Sequence, residues 1–338
     1  MMTSNFPLLK LPLIPLELII GKLDFLDLLQ IAMKSSKFKR LLELLKLSVQ
    51  TLTISLTKRS YEIKILQDRN SSYIDACDSV PLSTNMELAN IQGETMEIWK
   101  HGRIVMGVKS NESKMATLET ITKYILSICK VANYSLIYDD TKTEIRSLFI
   151  WQLTTKLERV NVIPDNGVDL VQISPEDLTF LLEEISVADL HLNVYCPGFK
   201  YQKPIKHPVI FGQSPRWVDF EMFSFAPDIE HAIFLNQKVS DDVLNGLIKN
   251  WTKGKYPKLR EVLFTWTDSG PEAVTMAREQ QVPHSRIILP NRNVEQLKGR
   301  CINHLIEREI YSDYVFYRVQ LSVWDDFGLN GIHLEDQA

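Results

Sequence analysis

Apolar positions along this chain repeat with two different periods, and the change of period marks its parts. Residues 6–47 read FPLLKLPLIPLELIIGKLDFLDLLQIAMKSSKFKRLLELLKL, nearly all helix formers. Pro15 can open a helix, after which Leu16, Ile19, Ile20 and Leu23 keep the i, i+3, i+4, i+7 order. Asp24 can cap a second helix carrying Leu28 and Ile31, with Asp27 in its first turn. Ser35 or Ser36 opens a third, striped by Phe38, Leu41, Leu42 and Leu45. Three helices in about 40 residues make too small a core to stand alone, so the module should lean on a partner or on the rest of the chain.

The rhythm then shortens to two. LTISL at 52–56, YEIKIL at 61–66, TMEIW at 95–99 and RIVMGV at 103–108 read as strands, and the last two frame a tight hairpin. Residues 67–92 between them are polar and unpatterned, which predicts a long loop. Residues 50–112 thus form a β-rich connecting segment.

From about residue 115 helix and strand alternate. The helix over 115–129 carries Leu118, Ile121, Ile125 and Ile128 on one face. Four similar strands follow, KLERVNVI at 156–163, ADLHLNVY at 188–195, DIEHAIFL at 228–235 and KLREVLFT at 258–265. Their matching positions Leu157, Leu190, Ile229 and Leu259 lie 33, 39 and 30 residues apart, room for a return crossover each time. Ser174-Pro175-Glu176-Asp177 and Ser240-Asp241-Asp242 are helix starts, and Gly254 with Pro257 stops the second helix. The fold class expected is α+β or α/β: three N-terminal helices, then over 115–320 a domain of mainly parallel strands. That domain is either an irregular leucine-rich solenoid, the preferred form, or a plain layered sheet.

Charge and composition narrow the function classes. Apolar residues make up 45% and charged residues 24%, as in a folded chain, and the net charge of −4 gives no bulk attraction to nucleic acid. The basic stretch KSSKFKR at 34–40 lacks interleaved aromatics and reads as a solvated helix face. No apolar run reaches the roughly 20 residues of a membrane span, and no leader pattern opens the chain. Cys77, Cys129, Cys196 and Cys301 are too scattered for a disulfide framework or a zinc knuckle. These features predict a cytoplasmic or nuclear protein without cofactor or metal. Motifs for nucleotide, zinc-protease or serine-hydrolase chemistry are absent, and the acid pairs Asp139-Asp140, Asp241-Asp242 and Asp325-Asp326 read as caps and solvated turns. The loop over 199–217 has a recognition-like mix, with Phe199, Tyr201, Lys203, Phe211 and Trp217 among several prolines; the first four are candidate target contacts.

Two stretches carry a family resemblance. Leu11-Pro12, Ile19-Ile20, Leu23-Asp24, Leu28 and Phe38 stand in the order of an F-box, although Pro15 replaces a common leucine and Lys34 a common valine or cysteine. Residues 233–264, IFLNQKVSDDVLNGLIKNWTKGKYPKLREVLF, place Asp242, Asn245, Trp251, Gly254 and Leu259 as in the type 2 F-box associated domain, and PRWVDFEMFSF at 215–225 looks like its Trp-led element. The chain therefore resembles the nematode (Caenorhabditis-type) F-box proteins with a type 2 F-box associated domain. The tail at 313–338 departs from them, since it lacks the basic, glycine-containing character of their closing strand, and an altered last strand is expected.

The resemblance implies a non-catalytic substrate-recognition subunit of an SCF-type ubiquitin ligase. Residues 6–47 would be the F-box, docking on a Skp-type adaptor, and through it a cullin, by way of Leu11, Pro12, Leu13, Leu16, Ile19, Ile20, Leu23 and Leu28. The C-terminal domain would hold a protein target. The alternative is a binding scaffold whose F-box-like helices pack internally and recruit no ligase.

Overall fold

The computed structural model describes residues 12–67, 70–79, 85–101, 104–140, 142–165, 169–220, 222, 224–269, 300–310 and 314–325. They fall into two compact units, the first running to Asp140 and including Ser147–Glu158, the second holding Thr141–Arg146 and everything from Arg159 on.

The first unit opens with α1 (Leu13–Ile20), α2 (Phe25–Lys34) and α3 (Ser36–Leu45). Ser35 caps α3 by accepting the Phe38 N–H at 3.3 Å. Strands β1 (Leu47–Leu56), β2 (Tyr61–Gln67), β3 (Asn70–Ala76), β4 (Glu87–Ile91), β5 (Glu94–His101) and β6 (Val105–Lys109) follow, then α4 (Lys114–Ile128) and β7 (Cys129–Tyr138). The sheet order is β7-β1-β2-β3-β6-β5-β4, with β1/β7 and β3/β6 parallel and the remaining neighbours antiparallel. Leu136, Ile54, Ile63, Ile74 and Met106 lie directly opposite one another across five strands and are all fully buried. Helix α4 packs on this sheet, α3 on α4, and α2 on α3 and β4, so the N-terminal helices share the core of the strands that follow them. The opposite face carries Thr53, Lys64 and Tyr73 in register, with the Lys64 ammonium 5.6 Å from the Tyr73 ring centre.

Several expectations are corrected here. Residues 67–92 hold β3 and β4 rather than one loop. Strand β3 (NSSYIDA) escapes a hydrophobicity reading because only Ile74 and Ala76 face the core. Helix α4 and β7 belong with the first unit, so no domain boundary falls near residue 112.

Short α5 (Ile150–Leu153) leads to β8 (Lys156–Val162), whose residues from Arg159 on are in the second unit. That unit continues with β9 (Val171–Gln172), α6 (Pro175–Glu183), β10 (Ser186–Leu192), β11 (Val194–Tyr195), β12 (Val209–Gln213), β13 (His231–Leu235), α7 (Asp241–Thr252), β14 (Glu261–Ser269), β15 (Arg300–Ile310) and β16 (Tyr314–Asp325). The sheet order is β8-β10-β12-β13-β14-β16-β15. Strands β10, β12, β13 and β14 are mutually parallel, while β16 runs antiparallel to both of its neighbours. From β8 to β14 spatial order follows chain order, so the sheet has no strand-order reversal at which a doubly wound fold would open a crevice. In the chain α6 stands between β8 and β10, and α7 between β13 and β14.

The caps were written in the sequence. Ser174 and Ser240 accept the Asp177 and Val243 N–H groups at 3.0 and 3.4 Å. Helix α7 ends with Gly254 at φ +75°, its N–H donating to Trp251 O and that of Lys255 to Asn250 O, the paired bonds of a Schellman stop. Strand β12 was not anticipated: it occupies part of the expected recognition loop and stands between two of the four expected strands.

Candidate functional site

Helix α1 (LIPLELII) is apolar around almost its whole circumference, and such a helix normally lies buried. Here only one side is. Leu16 and Ile20 point inward, whereas Ile14 is 72% and Leu18 66% exposed, one turn apart on the outer side. Ile19 joins them at the edge, and Ile31 of α2 is a further exposed isoleucine. Of the expected adaptor contacts, Pro12 and Ile19 are exposed, Leu23 is half-buried, and Leu16, Ile20 and Leu28 are interior. Leu11 and the Leu13 side chain lie outside the described residues. The interior set cannot touch a partner while the helices keep this packing. Phe25, Leu26 and Leu29 are also buried, because α2 meets both α3 and β4. Ile14 was missed because Glu17 is the single polar residue in the helix and too little to show how wide the outer side is.

The four expected target contacts do not gather into one site. Tyr201 is buried, its backbone paired to Trp217 O at 2.7 Å and to Asp219 N at 3.1 Å. Burial, with Glu183 nearby, pushes its phenol up to about 12. Lys203 is spent on the Glu183 carboxylate at 2.6 and 2.8 Å. Phe199 lies 6.5 Å from Tyr201, ring centre to ring centre. Phe211 belongs elsewhere, on β12, stacked on His191 of β10 at 5.1 Å.

Asp139 and Asp140 are buried, not solvated: Lys58 Nζ lies 3.3 Å from Asp139 Oδ1, and the Tyr61 hydroxyl donates to Asp140. They anchor the β1–β2 turn to the end of β7. Asp241 and Asp242 are exposed in the first turn of α7, and Asp326 lies outside the described residues. Burial raises the thiols of Cys77 and Cys129, to about 11 and about 12, so neither is poised as a nucleophile. Among the described residues no three His, Cys, Asp or Glu side chains converge at metal-binding distance, and no helix is long and apolar enough to cross a membrane. A cavity of about 380 Å³ beside α7 joins Phe220, Tyr256 and Phe264 to Ser240, Asp242 and Gly246, without imidazole, thiol or cation in its lining.

Comparison with family models, curated proteins and solved structures returns no match to the chain.

Proposed function

We propose that the protein is a substrate-recognition subunit of an SCF-type ubiquitin ligase: its N-terminal helices dock on a Skp-type adaptor, and its second unit, leucine-rich-repeat-like in character, holds a protein target. The observation that carries this reading is the solvent-facing side of α1, where Ile14 and Leu18 stand out in a segment of F-box-like pattern. Exposed aliphatics grouped on one side of a helix support a docking surface. Covering each would contribute about 1.5–3 kcal/mol. The role needs no reacting group, because a ligase of this kind works by holding two proteins close together.

A second reading has its own support. Helices α2 and α3 are built into the first unit, with Leu26, Leu29 and Leu42 fully buried, and this favours a scaffold whose helices serve the chain's own core. One titration separates the two. Purified Skp-type adaptor is added to the full chain and to Ile14→Ala/Leu18→Ala, with circular dichroism to confirm folding. The ligase reading expects binding by the wild type and a loss of roughly a hundredfold in the double variant. A folded wild type that does not bind puts the scaffold in front.

A further inference from the structure

Helix α7 carries one glycine inside its span, Gly246, where alanine or leucine would make a firmer helix. A Cβ built on it would meet nothing within 4 Å. The space beside it is the cavity of about 380 Å³, whose helical wall is Asp242, Val243, Gly246, Leu247 and Asn250. Positions 242, 246 and 250 follow one another at one-turn intervals, so the glycine is a gap in the middle of that wall. Tyr256 and Phe264, both buried, and half-buried Phe220 supply the aromatic part of the lining, with the Phe220 and Phe264 ring centres 5.9 Å apart. A cavity of this volume, apolar within and polar at a few points, has the build of a ligand site.

The geometry points to this cavity as the site for a basic side chain of the protein target, a cationic head carried on an aliphatic stem. This inference rests on the target-binding half of the proposed function and names the kind of residue the target presents. Asp242 is the single charged group among the lining residues, and its carboxylate meets no cation and no hydrogen-bond donor among the described residues. Asp241 beside it is not part of the lining, nor are the exposed Lys249 and Lys253 at the far end of the helix. Lys200, Arg216 and Lys238 line an adjoining cavity, so an anion is drawn there and away from Asp242.

The three classes of occupant differ in what they do to that carboxylate. A neutral apolar group would displace its water and leave it without a partner, which costs free energy. An acid would set like charge against it. A cation pairs with it, and the rings beside it attract a cation as well. The stem of a lysine or arginine can meanwhile lie along Leu247, Phe220 and the open flank of Gly246, as long basic side chains do on apolar surfaces. Ser240, at the same end of the helix as Asp242, spends its oxygen on the Val243 N–H at 3.4 Å, so the carboxylate is the acceptor left for the head.

The test uses the full chain and three probes of one shape, butylammonium, butanol and butyrate, followed by saturation-transfer nuclear magnetic resonance. Butylammonium should bind about tenfold tighter than butanol, and butyrate should not compete with it. Asp242→Asn should erase the advantage over butanol without changing the circular dichroism. Gly246→Leu should fill the cavity and block butylammonium while raising the thermal midpoint, which separates lost binding from lost folding. In chain labelled with nitrogen-15 glycine, the amide signal that Gly246→Leu removes should be the one butylammonium shifts. The peptide acetyl-Ala-Lys-Ala-amide should bind at least as tightly as butylammonium. The inference falls if butylammonium fails to bind, if butanol or butyrate matches it, if either variant keeps the preference, or if the Gly246 amide stays unmoved. Exclusion of the lysine peptide also overturns it, since the cavity would then admit free amines alone. The adaptor titration reads the other unit, so failed adaptor binding with butylammonium binding intact removes the ligase reading alone.

Discussion

At the scale of single residues, two buried side chains have consequences that can be measured. Trp99 is buried in the first unit and lies flat over Gly107, its register partner on β6. A Cβ at Gly107 would overlap the indole ring itself, so Gly107→Ala must displace a large aromatic and should destabilise the chain by about 1–3 kcal/mol in denaturant unfolding. An unchanged midpoint would mean that the indole has somewhere else to go. His207 is buried, with Nε2 lacking a partner. Burial holds its imidazole below the ordinary 6.5, helped by Lys206 and opposed by backbone groups of Val187, Leu181 and Leu182. Below pH 6.5 the unfolded chain takes up a proton that the folded chain refuses. The stability His207 supplies is thus present above that pH and lost as pH falls from 6.5 toward the lowered folded value. His207→Gln should lose less stability than the wild type between neutral and mildly acidic buffer, and parallel losses would remove His207 as the cause. Neither residue was legible in advance: Gly107 is one glycine in a strand, and His207 sits between two prolines in a segment that reads as loop.

Among the elements, α7 shows how much local sequence can specify. Its serine cap, acidic first turn and Schellman stop were all readable, and Leu244, Leu247, Ile248 and Trp251 are buried as their spacing required. Trp251→Ala should cost about 3–5 kcal/mol in thermal or denaturant unfolding, and a loss well under 1 kcal/mol would show that the ring packs loosely. Strands were harder to read. Strand β3 carries two buried side chains in seven residues, and β12 is five residues flanked by prolines. Both exist because neighbouring strands offer them backbone partners on each side, which is a property of the sheet and not of the segment. Helix α1 marks the opposite limit, since its apolar content declares a helix but not which side faces solvent.

For the whole molecule, the decisive fact is that the N-terminal helices are not a detachable bead. Helix α2 reaches β4 and α3 reaches α4, so removing residues 1–45 would open the sheet's buried face and the side of α4. That truncation is expected to abolish cooperative unfolding of the first unit, seen as early loss of near-ultraviolet dichroism and as rapid proteolysis within residues 47–138. A truncated chain that unfolds as sharply as the full one would restore the helices to a separable module. The sequence by itself determined the N-terminal run of three helices, the capped starts of α6 and α7, and a repeated strand rhythm that becomes four strands of one sheet. Each of these rests on the period of apolar residues and on polar caps, which act within a few residues of chain. Only the tertiary structure decided that α4 and β7 close the first unit, that Leu16, Ile20 and Leu28 are interior while Ile14 and Leu18 face water, and that Phe220, Asp242, Tyr256 and Phe264 line one cavity. Those outcomes depend on strand order and register between segments far apart in the chain, and composition and spacing do not encode them locally.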